Sequence, residues 1–563
     1  MTGKILNSFD IWIGAQGWKS KLRLRDVENV NHEGIDRLRE LILELAILGK
    51  LLPQDPSDES ADTLLRNISK EKDRLIEGGE LRKQKVLLEI AAAEKHFELP
   101  KGWAWARLGN IGDTNIGLTY SPTDVSDHGT PVLRSSNVQN GQISLDDLVR
   151  VSSKVDSKNF VENGDLLICA RNGSRKLVGK CAIIKHLKER MAFGAFMAIF
   201  RSPLNNYIKY FLESPFYRKG LEGVSTTTIN QITQETLKNT VIPLPPLAEQ
   251  QRIVSKVNEL MALCDELEEQ ETNHLKSHQL LVTTLLGTLT QAKDAAEFQT
   301  AWATLAKHFD DLFITEDSVD QLKQTILQLA LMGKLVPQDP KDEPASVLLE
   351  RIKKEKERLI REGELNKQNA PSPIGDAEGQ SPLPQGWELE RFGNVVFNRD
   401  AERDPLSVDE RSTRKGEYDY YGASGVIDKI DDYIFDKPLL LIGEDGANLI
   451  NRTTPIAFMA RGKYWVNNHA HVIDGLSEDL LLFVCLYINA ISLEEYVTGT
   501  AQPKMNQAKM NSIIMKIPPL GEQKRIVLKV EELFGLCDGL KHRITERQKI
   551  ANLIADSILE QVR

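Results

Sequence analysis

The sequence predicts an α+β protein with a pseudo-twofold internal repeat, in which two α/β domains are joined by two long helices that form an antiparallel coiled coil. Two blocks of sequence each occur twice, the segments between these blocks are dissimilar, and two long stretches carry apolar residues at near-heptad spacing. A chain of 563 residues is too long for one hydrophobic core, so several domains are expected.

The first repeated block reads LRELILELAILGKLLPQDP at 38–56 and LKQTILQLALMGKLVPQDP at 322–340, with 12 of 19 positions identical. Its apolar residues recur every three or four positions, which predicts a helix with one apolar face, and Gly49 predicts where that helix ends. The similarity continues at the same offset, because LPKGWAWARLGNI at 99–111 returns as LPQGWELERFGNV at 383–395.

The second repeated block reads PPLAEQQRIVSKVNELMALCDELE at 245–268 and PPLGEQKRIVLKVEELFGLCDGLK at 518–541, with 16 of 24 positions identical. A Pro-Pro pair suits the entry to a helix, and the glutamate four residues later falls in the first turn, where the helix dipole favours a carboxylate. The apolar spacing predicts helices that continue to about Leu289 and Leu559. We interpret them as a coiled-coil spacer; two ordinary core helices are the alternative.

The repeats divide the chain into five predicted parts. These are an N-terminal helical region (1–98), a first α/β domain (99–244), a central region with a long spacer helix and a helical segment (245–382), a second α/β domain (383–517) and a distal helix (518–563). Two similar frames around two dissimilar segments, roughly 112–241 and 396–517, indicate one mechanical task performed twice and one recognition task performed in two ways. The alternative is a plain duplication without functional asymmetry.

Composition limits the class of protein. The sequence contains no apolar run long enough for a membrane span, and its five cysteines are scattered without a C-x-x-C pair. We therefore expect a reduced, cytoplasmic protein without a disulfide framework.

The charge distribution differs between the two α/β domains. The net charge of −10 argues weakly against nucleic-acid binding, but residues 100–245 contain 18 Lys and Arg against 12 Asp and Glu. Residues 384–517 contain 14 against 20. The first domain therefore favours DNA on charge, whereas the second would depend on a partner or on a few placed basic residues, namely Arg411, Arg414, Lys415 and Lys504.

Polar loops at strand ends are the candidate DNA contacts. A buried strand that begins at Asp165 ends in Arg171–Ser174, and another that begins at Leu439 ends in Glu444–Asn448. Such a loop can reach a base edge, where Arg suits guanine, Asn and Gln suit adenine, and Asp or Glu suits cytosine; ordinary hairpin turns are the alternative. The candidate DNA-binding residues are Arg134, Ser135, Ser136, Asn137, Arg171, Asn172, Gly173, Ser174, Arg175, Lys180, Thr227, Asn230, Tyr421, Ser424, Glu444, Asp445, Asn448, Asn467, Asn468, His469, Gln502, Lys504 and Asn506.

The sequence offers little support for catalysis. No G-x-x-x-x-G-K-[ST] phosphate loop or glycine-rich cofactor loop is found, and the Pro-Pro pairs lack the neighbours of an amino-methyltransferase motif. Neither His274 with His278 nor His469 with His471 has the further ligands of a metal site. No catalytic, cofactor or metal residue is predicted; an enzyme with an unrecognised site and a scaffold that does not bind DNA remain as alternatives.

The motifs G-K-L-x-P-Q-D-P, G-W-x-x-x-R-x-G-N and P-P-L-x-E-Q-x-R-I-V, placed around two variable segments, resemble the specificity subunits of type I restriction-modification systems. The resemblance covers nearly the whole chain. It implies a non-catalytic host-defence protein in which each variable segment is a target recognition domain that reads one half of a split double-stranded DNA site. It further implies that the helices fix the gap between the half-sites.

The same resemblance implies the partners and their cofactors. Two methyltransferase subunits would dock on the helices and methylate adenine with S-adenosylmethionine, and motor-endonuclease subunits would add restriction that depends on ATP and Mg. No cofactor is expected in this subunit. The two ends of the chain are expected to meet, which would close a pseudo-twofold ring.

Overall fold

The helices that the repeated blocks predict are present in the computed structural model, which describes residues 33–79, 86–222, 231–367, 371–375, 383–499 and 502–562. The two long helices are Leu247–Gln291 (the first long helix) and Leu520–Val562 (the second long helix), so the predicted ends were correct to within three residues. The described chain divides into unit 1, which comprises 33–274 and 548–562, and unit 2, which comprises 275–547.

Unit 1 is built around the first copy of the repeated frame. Its helices are Glu33–Ile47, Ala61–Glu77, Leu108–Ile111, Asn205–Glu213, Pro215–Glu222, Gln234–Asn239, the beginning of the first long helix and the end of the second. The apolar face of Glu33–Ile47 packs with Ile253 and Val257 of the first long helix in one buried cluster. Arg39 adds ion pairs to Asp265 at 2.7 Å and Glu268 at 2.6 Å.

The last described turns belong to the same unit as the first described helix. Asp556 of the second long helix forms an ion pair with Arg37 at 2.5 Å. The end of the second long helix therefore contacts the first described helix. The expected meeting of the two chain ends involves residues 1–32, which lie outside the described part.

Glycine ends the helix of the first repeated block. Gly49 has a φ of +68°, and a Cβ at this position would lie 2.5 Å from Pro100 Cγ. Gly333 has the same φ, and a Cβ there would lie 2.7 Å from Pro384 Cγ. Only glycine tolerates this left-handed conformation and close approach, so each copy stops at the predicted residue.

Two four-stranded sheets form the first domain, which we define as residues 104–244. Strands Ala104–Arg107 and Val241–Leu244 pair antiparallel and join its two ends. The first sheet is antiparallel and has the order Asp113–Ile116, Met197–Arg201, Leu166–Cys169 and Cys181–Ile183. The second sheet has the order Ala192–Phe193, Thr130–Leu133, Val149–Val151 and Val125–Ser126, and a small hairpin joins Val138–Gln139 to Gln142–Ile143.

Unit 2 repeats this arrangement. Its helices are Ala295–Lys307, Phe309–Leu312, Glu316–Leu331, Ala345–Arg361, Phe392–Val395, Val408–Thr413, Asn448–Asn451, Glu478–Ala490 and Gln507–Asn511, with the end of the first long helix and the beginning of the second. Leu322 and Ile326 share a buried cluster with Ile526 and Val530 of the second long helix. Lys323 forms an ion pair with Asp538 at 2.5 Å.

The second domain, residues 388–517, has the same first-sheet topology as the first domain. Strands Glu388–Arg391 and Ile514–Ile517 join its two ends. One sheet has the order Phe397–Asn398, Ala470–Asp474, Leu439–Gly443 and Ala457–Ala460, and the other has the order Gly425–Ile430, Lys415–Gly422, Lys463–Val466 and Phe435–Asp436. The predicted α+β fold with two sheet domains, long helices and an internal repeat is confirmed. In the described ranges, no helix is long and apolar enough to cross a membrane.

Candidate nucleic-acid interface

The strand-end loop of the first domain is fixed by its backbone. Leu166–Cys169 is an inner strand with four buried residues. The N–H groups of Ala170 and Arg171 both donate to the Phe196 carbonyl at 3.0 Å, and the Ala170 carbonyl accepts from the Ile232 N–H at 2.7 Å. Arg171 also forms an isolated bridge with Gln231. The loop after the strand is therefore held from two sides.

The side chain of Arg171 lies over an exposed aromatic ring. Its guanidinium carbon is 5.2 Å from the centroid of Phe196, which is 59% exposed. Among the described residues, Arg171 has no ion pair with a carboxylate. The guanidinium is thus oriented by a cation–π contact that leaves its hydrogen-bond donors available.

A cleft of about 950 Å³ lies beside this loop. Arg171, Asn172 and the 134–136 loop line its polar side, and Tyr120 and Phe196 line its apolar side. Asn172 Nδ2 donates to Ser135 Oγ at 3.1 Å, which ties the two polar loops together. The structure therefore brings Arg134, Ser135, Ser136, Arg171, Asn172 and Gly173 into one concave surface.

Other predicted residues of the first domain make contacts within the chain. Asn137 is 1% exposed; it accepts from the Arg134 N–H and donates to the carbonyls of Ser144 and Asp147. Lys180 Nζ donates to the Val138 carbonyl at 2.9 Å. Both side chains support the loops from inside.

The remaining predicted residues of this domain lie at the edges of the loop. Ser174 and Arg175 are exposed, and the Ser174 N–H donates to Asn172 Oδ1 at 2.9 Å. Arg134 forms an ion pair with Asp147 at 2.8 Å. Thr227 and Asn230 lie outside the described residues.

The second domain clamps its strand-end loop by equivalent contacts. Leu439–Gly443 is a fully buried inner strand. The Glu444 N–H donates to the His469 carbonyl at 2.8 Å, and the Glu444 carbonyl accepts from the Met505 N–H at 2.8 Å. Asp445 forms an isolated bridge with Lys504. The structure thus brings three predicted loops together, around residues 444, 467 and 504.

Charged side chains surround this second loop. Asp445 accepts from His469 Nδ1 at 2.8 Å, while Glu444 contacts Arg403 at 2.9 Å and Lys504 at 3.1 Å. Burial raises the pKa of Glu444, but the hydrogen bonds and charges of its cationic neighbours outweigh burial, so the pKa is lowered overall. Glu444 is 9% exposed, so its side chain stabilises the loop and is largely shielded from solvent.

A buried histidine lies beneath the same loop. His471 is 1% exposed, with Nδ1 2.6 Å from Asp400 Oδ2 and Nε2 2.9 Å from the Met505 carbonyl. A carbonyl oxygen can only accept, so Nε2 carries a proton, and the nearby carboxylate favours a second proton on Nδ1. Burial lowers the pKa of His471, but the hydrogen bond and charge of Asp400 outweigh burial and raise it overall.

The other predicted residues of the second domain divide into structural and exposed ones. Asn467 is 4% exposed and accepts from the His469 N–H at 2.8 Å, and Asn448 accepts from the Thr454 N–H at 3.1 Å. Tyr421 stacks on Phe458 with a centroid distance of 5.9 Å.

The exposed residues are Ser424, Asn468, Gln502 and Asn506, of which Asn506 also caps the helix Gln507–Asn511.

The basic residues proposed to compensate for the acidic second domain are paired. Arg411 and Lys415 both contact Asp428, and Arg414 contacts Asp431 at 3.0 Å. Lys504 is paired with Glu444 but is 52% exposed. These ion pairs lower the positive field that the second domain presents to a phosphate backbone.

Three residues of these sites were not predicted from the sequence, namely Phe196, Gln231 and Arg403. Phe196 and Gln231 reach Arg171 only through strand pairing over 25 and 60 residues of chain, and Arg403 is 41 residues from Glu444. The only local signal was an aromatic residue among small ones, in the segment FGAFM at 193–197.

The comparisons with known proteins agree with the duplicated architecture. The family model described as "Type I restriction modification DNA specificity domain" matches twice, at residues 100–277 and 384–549, so it also covers the acidic second domain. The specificity subunits of the type I restriction enzymes EcoEI and EcoAI, both from Escherichia coli, are each 34% identical to this chain. Each alignment covers 99% of this chain and 98% of the relative.

Among solved structures, the HsdS subunit from Thermoanaerobacter tengcongensis aligns with 84% of this chain and 98% of its own at 16% identity and a TM-score of 0.39. The relatives from Escherichia coli and the double family match are sufficient to assign the family. The chain belongs to the specificity subunits of type I restriction-modification systems, the non-catalytic, DNA-binding components that recognise bipartite sites and assemble with the other subunits.

Proposed function

We propose that the first domain reads one half-site and the second domain reads the other, with the strand-end loops in contact with base edges. The observation that carries this proposal is the repeated backbone clamp. Each domain fixes the loop after a buried inner strand with hydrogen bonds from two other segments, yet the loops carry different polar side chains. A rigid support with variable side chains is the arrangement that direct readout requires.

We further propose that the long helices hold two methyltransferase subunits, through which motor-endonuclease subunits join the complex. S-adenosylmethionine, ATP and Mg would bind to these partners and not to this chain. The paired basic residues of the second domain support a division of labour. Phosphate contacts in that half of the complex would come largely from a methyltransferase subunit, while the second domain supplies base contacts.

The test is DNA binding by the complex reconstituted with its methyltransferase subunits. A duplex that carries the complete split site should bind at least about 10³-fold more tightly than duplexes with either half-site scrambled. Affinity for all duplexes should fall as salt rises, because bound phosphates displace counterions. Equal affinity for the intact and scrambled duplexes would contradict the proposal, and absence of DNA binding would favour a pure scaffold.

A further inference from the structure

Equivalent positions in the two domains can be assigned from the backbone contacts. In both domains the first residue after the inner strand donates to one segment and accepts from another, at 2.7–3.0 Å, and the next residue forms the isolated bridge. Three positions are therefore equivalent in the two domains: the residue that forms the bridge, the residue whose carbonyl accepts from the first N–H, and the bridge partner. In this order they are the first strand-end set (Arg171, Phe196 and Gln231) and the second strand-end set (Asp445, His469 and Lys504).

The two sets have opposite hydrogen-bonding character at their first position. The guanidinium of Arg171 offers only hydrogen-bond donors, and its central carbon lies 5.2 Å from the centroid of the exposed Phe196 ring. Asp445 offers only acceptors, and it bonds to His469, whose side chain is 51% exposed. The second position orients the first in each set, through a cation–π contact in one domain and a hydrogen bond in the other.

The chemistry of base edges gives each first position a preferred partner. Guanine presents two acceptors, O6 and N7, in the major groove, and a guanidinium can donate to both. Cytosine presents the N4 amino group, which a carboxylate accepts. The bond with His469 leaves other lone pairs of Asp445 available, because a carboxylate has about four.

We propose that the two strand-end sets are one recognition site used twice with opposite character, so that Arg171 binds a guanine in one half-site and Asp445 accepts the amino group of a cytosine in the other. This inference rests on the proposed function and adds to it the class of base that each domain reads. Phe196 and His469 act as positioning residues, since each holds the side chain that makes the contact.

The experiment maps methylation in cells that carry the complete system with single variants of this chain. Arg171→Lys keeps the charge but loses the planar fork, so discrimination at one guanine of the first half-site should fall at least about tenfold. Asp445→Asn should shift one position of the other half-site from cytosine toward adenine, which an amide binds through N6 and N7. The exposed residues Lys185 and Glu417 provide controls, as Lys185→Ala and Glu417→Gln, and both should leave the recognised bases unchanged.

Positioning is tested separately. Phe196→Leu keeps an apolar side chain but removes the π face, so it should relax the same guanine as Arg171→Lys and no other position. If Arg171→Lys does not accumulate in cells, Arg171→Gln replaces it; if Asp445→Asn does not accumulate, Asp445→Glu replaces it. Each replacement must alter the same base position of the recognised site as the variant it replaces.

Two failures can be told apart. If the wild-type complex binds all duplexes equally, the proposed function itself is wrong. If the wild type is specific while Arg171→Lys and Asp445→Asn leave both half-sites unchanged, only the matched recognition site is overturned. A relaxed position that is not guanine for Arg171, or not cytosine for Asp445, would also overturn it.

Discussion

At the scale of single residues, the second domain uses a buried charge cluster to fix its strand-end loop. His471 links Asp400 of one segment to the Met505 carbonyl of another, and Met505 in turn donates to the Glu444 carbonyl. Buried ionised groups are expensive unless they are paired and hydrogen-bonded, and here each has partners. Removal of one member therefore takes a buried partner away from the others.

We predict that His471→Gln destabilises the second domain by about 3 kcal/mol near pH 6, because Asp400 loses the buried cation to which it is hydrogen-bonded and keeps, among the described residues, only the cation of Arg403, at 3.6 Å. The folded-state pKa of His471 is raised, so its contribution is complete below the unfolded pKa of about 6.5 and is lost as pH rises through the folded pKa. The pKa of Asp400 is lowered despite burial, so its contribution is lost only as pH falls. The difference in thermal midpoint between wild type and variant should therefore shrink from pH 6 to pH 9.

The control for this prediction is Glu478→Gln, which breaks an exposed ion pair with Arg461 and should change the midpoint little. A difference between wild type and His471→Gln that is the same at pH 6 and pH 9 would show that folding does not raise the pKa of His471.

The site could be predicted from the sequence only in its local parts. Arg171 and Asp445 each follow an apolar run that reads as a buried strand, and that pattern is visible along the chain. The residues that orient them come from other strands, so no local pattern shows them. Sequence also cannot separate Asn137, which is buried, from Ser136, which is exposed in the same short loop.

At the scale of elements, the repeated motifs build a joint between each domain and a long helix within its own unit. Trp103 Nε1 donates to Glu249 Oε2 at 3.0 Å, and Trp387 makes the same bond to Glu522 at 3.0 Å. The sequence indicated a helix-dipole role for these glutamates, but their burial and tryptophan partners make them the centre of the joint. Burial raises the pKa of Glu249.

We predict that Trp103→Phe destabilises unit 1 by about 1–3 kcal/mol, because the buried carboxylate of Glu249 loses its tryptophan donor and keeps, within the described part of the chain, only Gln54, at 3.4 Å. Trp387→Phe should have an effect of the same size in unit 2, since the contact there is equivalent. Thermal unfolding followed by differential scanning calorimetry measures both. Trp302→Phe, at a tryptophan that is 45% exposed, is the matched control and should change the midpoint by less than either. Equal midpoints for all three variants would contradict the role of the joint.

The long helices were predicted closely because their spacing is local and regular. The apolar steps and the Pro-Pro start define each helix without reference to distant residues. The short strands of the domains are harder to predict, since several have only two or three residues and form through pairing with distant partners.

We predict that four residues inserted after Leu267 of the first long helix lengthen the gap in the recognised site, because they add about 6 Å of helix. The bases of both half-sites should remain the same. The equivalent insertion in the second long helix follows Leu540, and the two single insertions and the double insertion should be compared by methylome sequencing. Altered half-site bases with an unaltered gap would show that the roles of helix and domain are reversed.

At the scale of the whole molecule, duplication separates support from recognition. The equivalent contacts of Arg39 and Lys323 with the long helices, and of Trp103 and Trp387 with the glutamates, keep the frame nearly the same in both units. The net charges of the two variable segments have opposite signs. One frame can therefore carry two unrelated recognition surfaces.

We predict that the purified chain neither binds S-adenosylmethionine nor methylates DNA, because its sequence contains no recognisable cofactor loop. Isothermal titration calorimetry with the isolated chain and with the methyltransferase complex measures this, and only the complex should bind. Stoichiometric binding by the isolated chain would mean that a cofactor site exists outside the recognised motifs.

The methylation map of Arg171→Ala shows whether the first domain reads one half-site and leaves the other to the second domain. Loss of a bidentate base contact costs about 1–3 kcal/mol of discrimination, so one position of one half-site should relax while the other half-site keeps all its bases. Lys185→Ala, at an exposed lysine of the same domain, should at most weaken methylation uniformly. If Arg171→Ala leaves both half-sites and the methylation rate unchanged, Arg171 makes no base contact. If it relaxes both half-sites together, the assignment of one half-site to each domain is wrong.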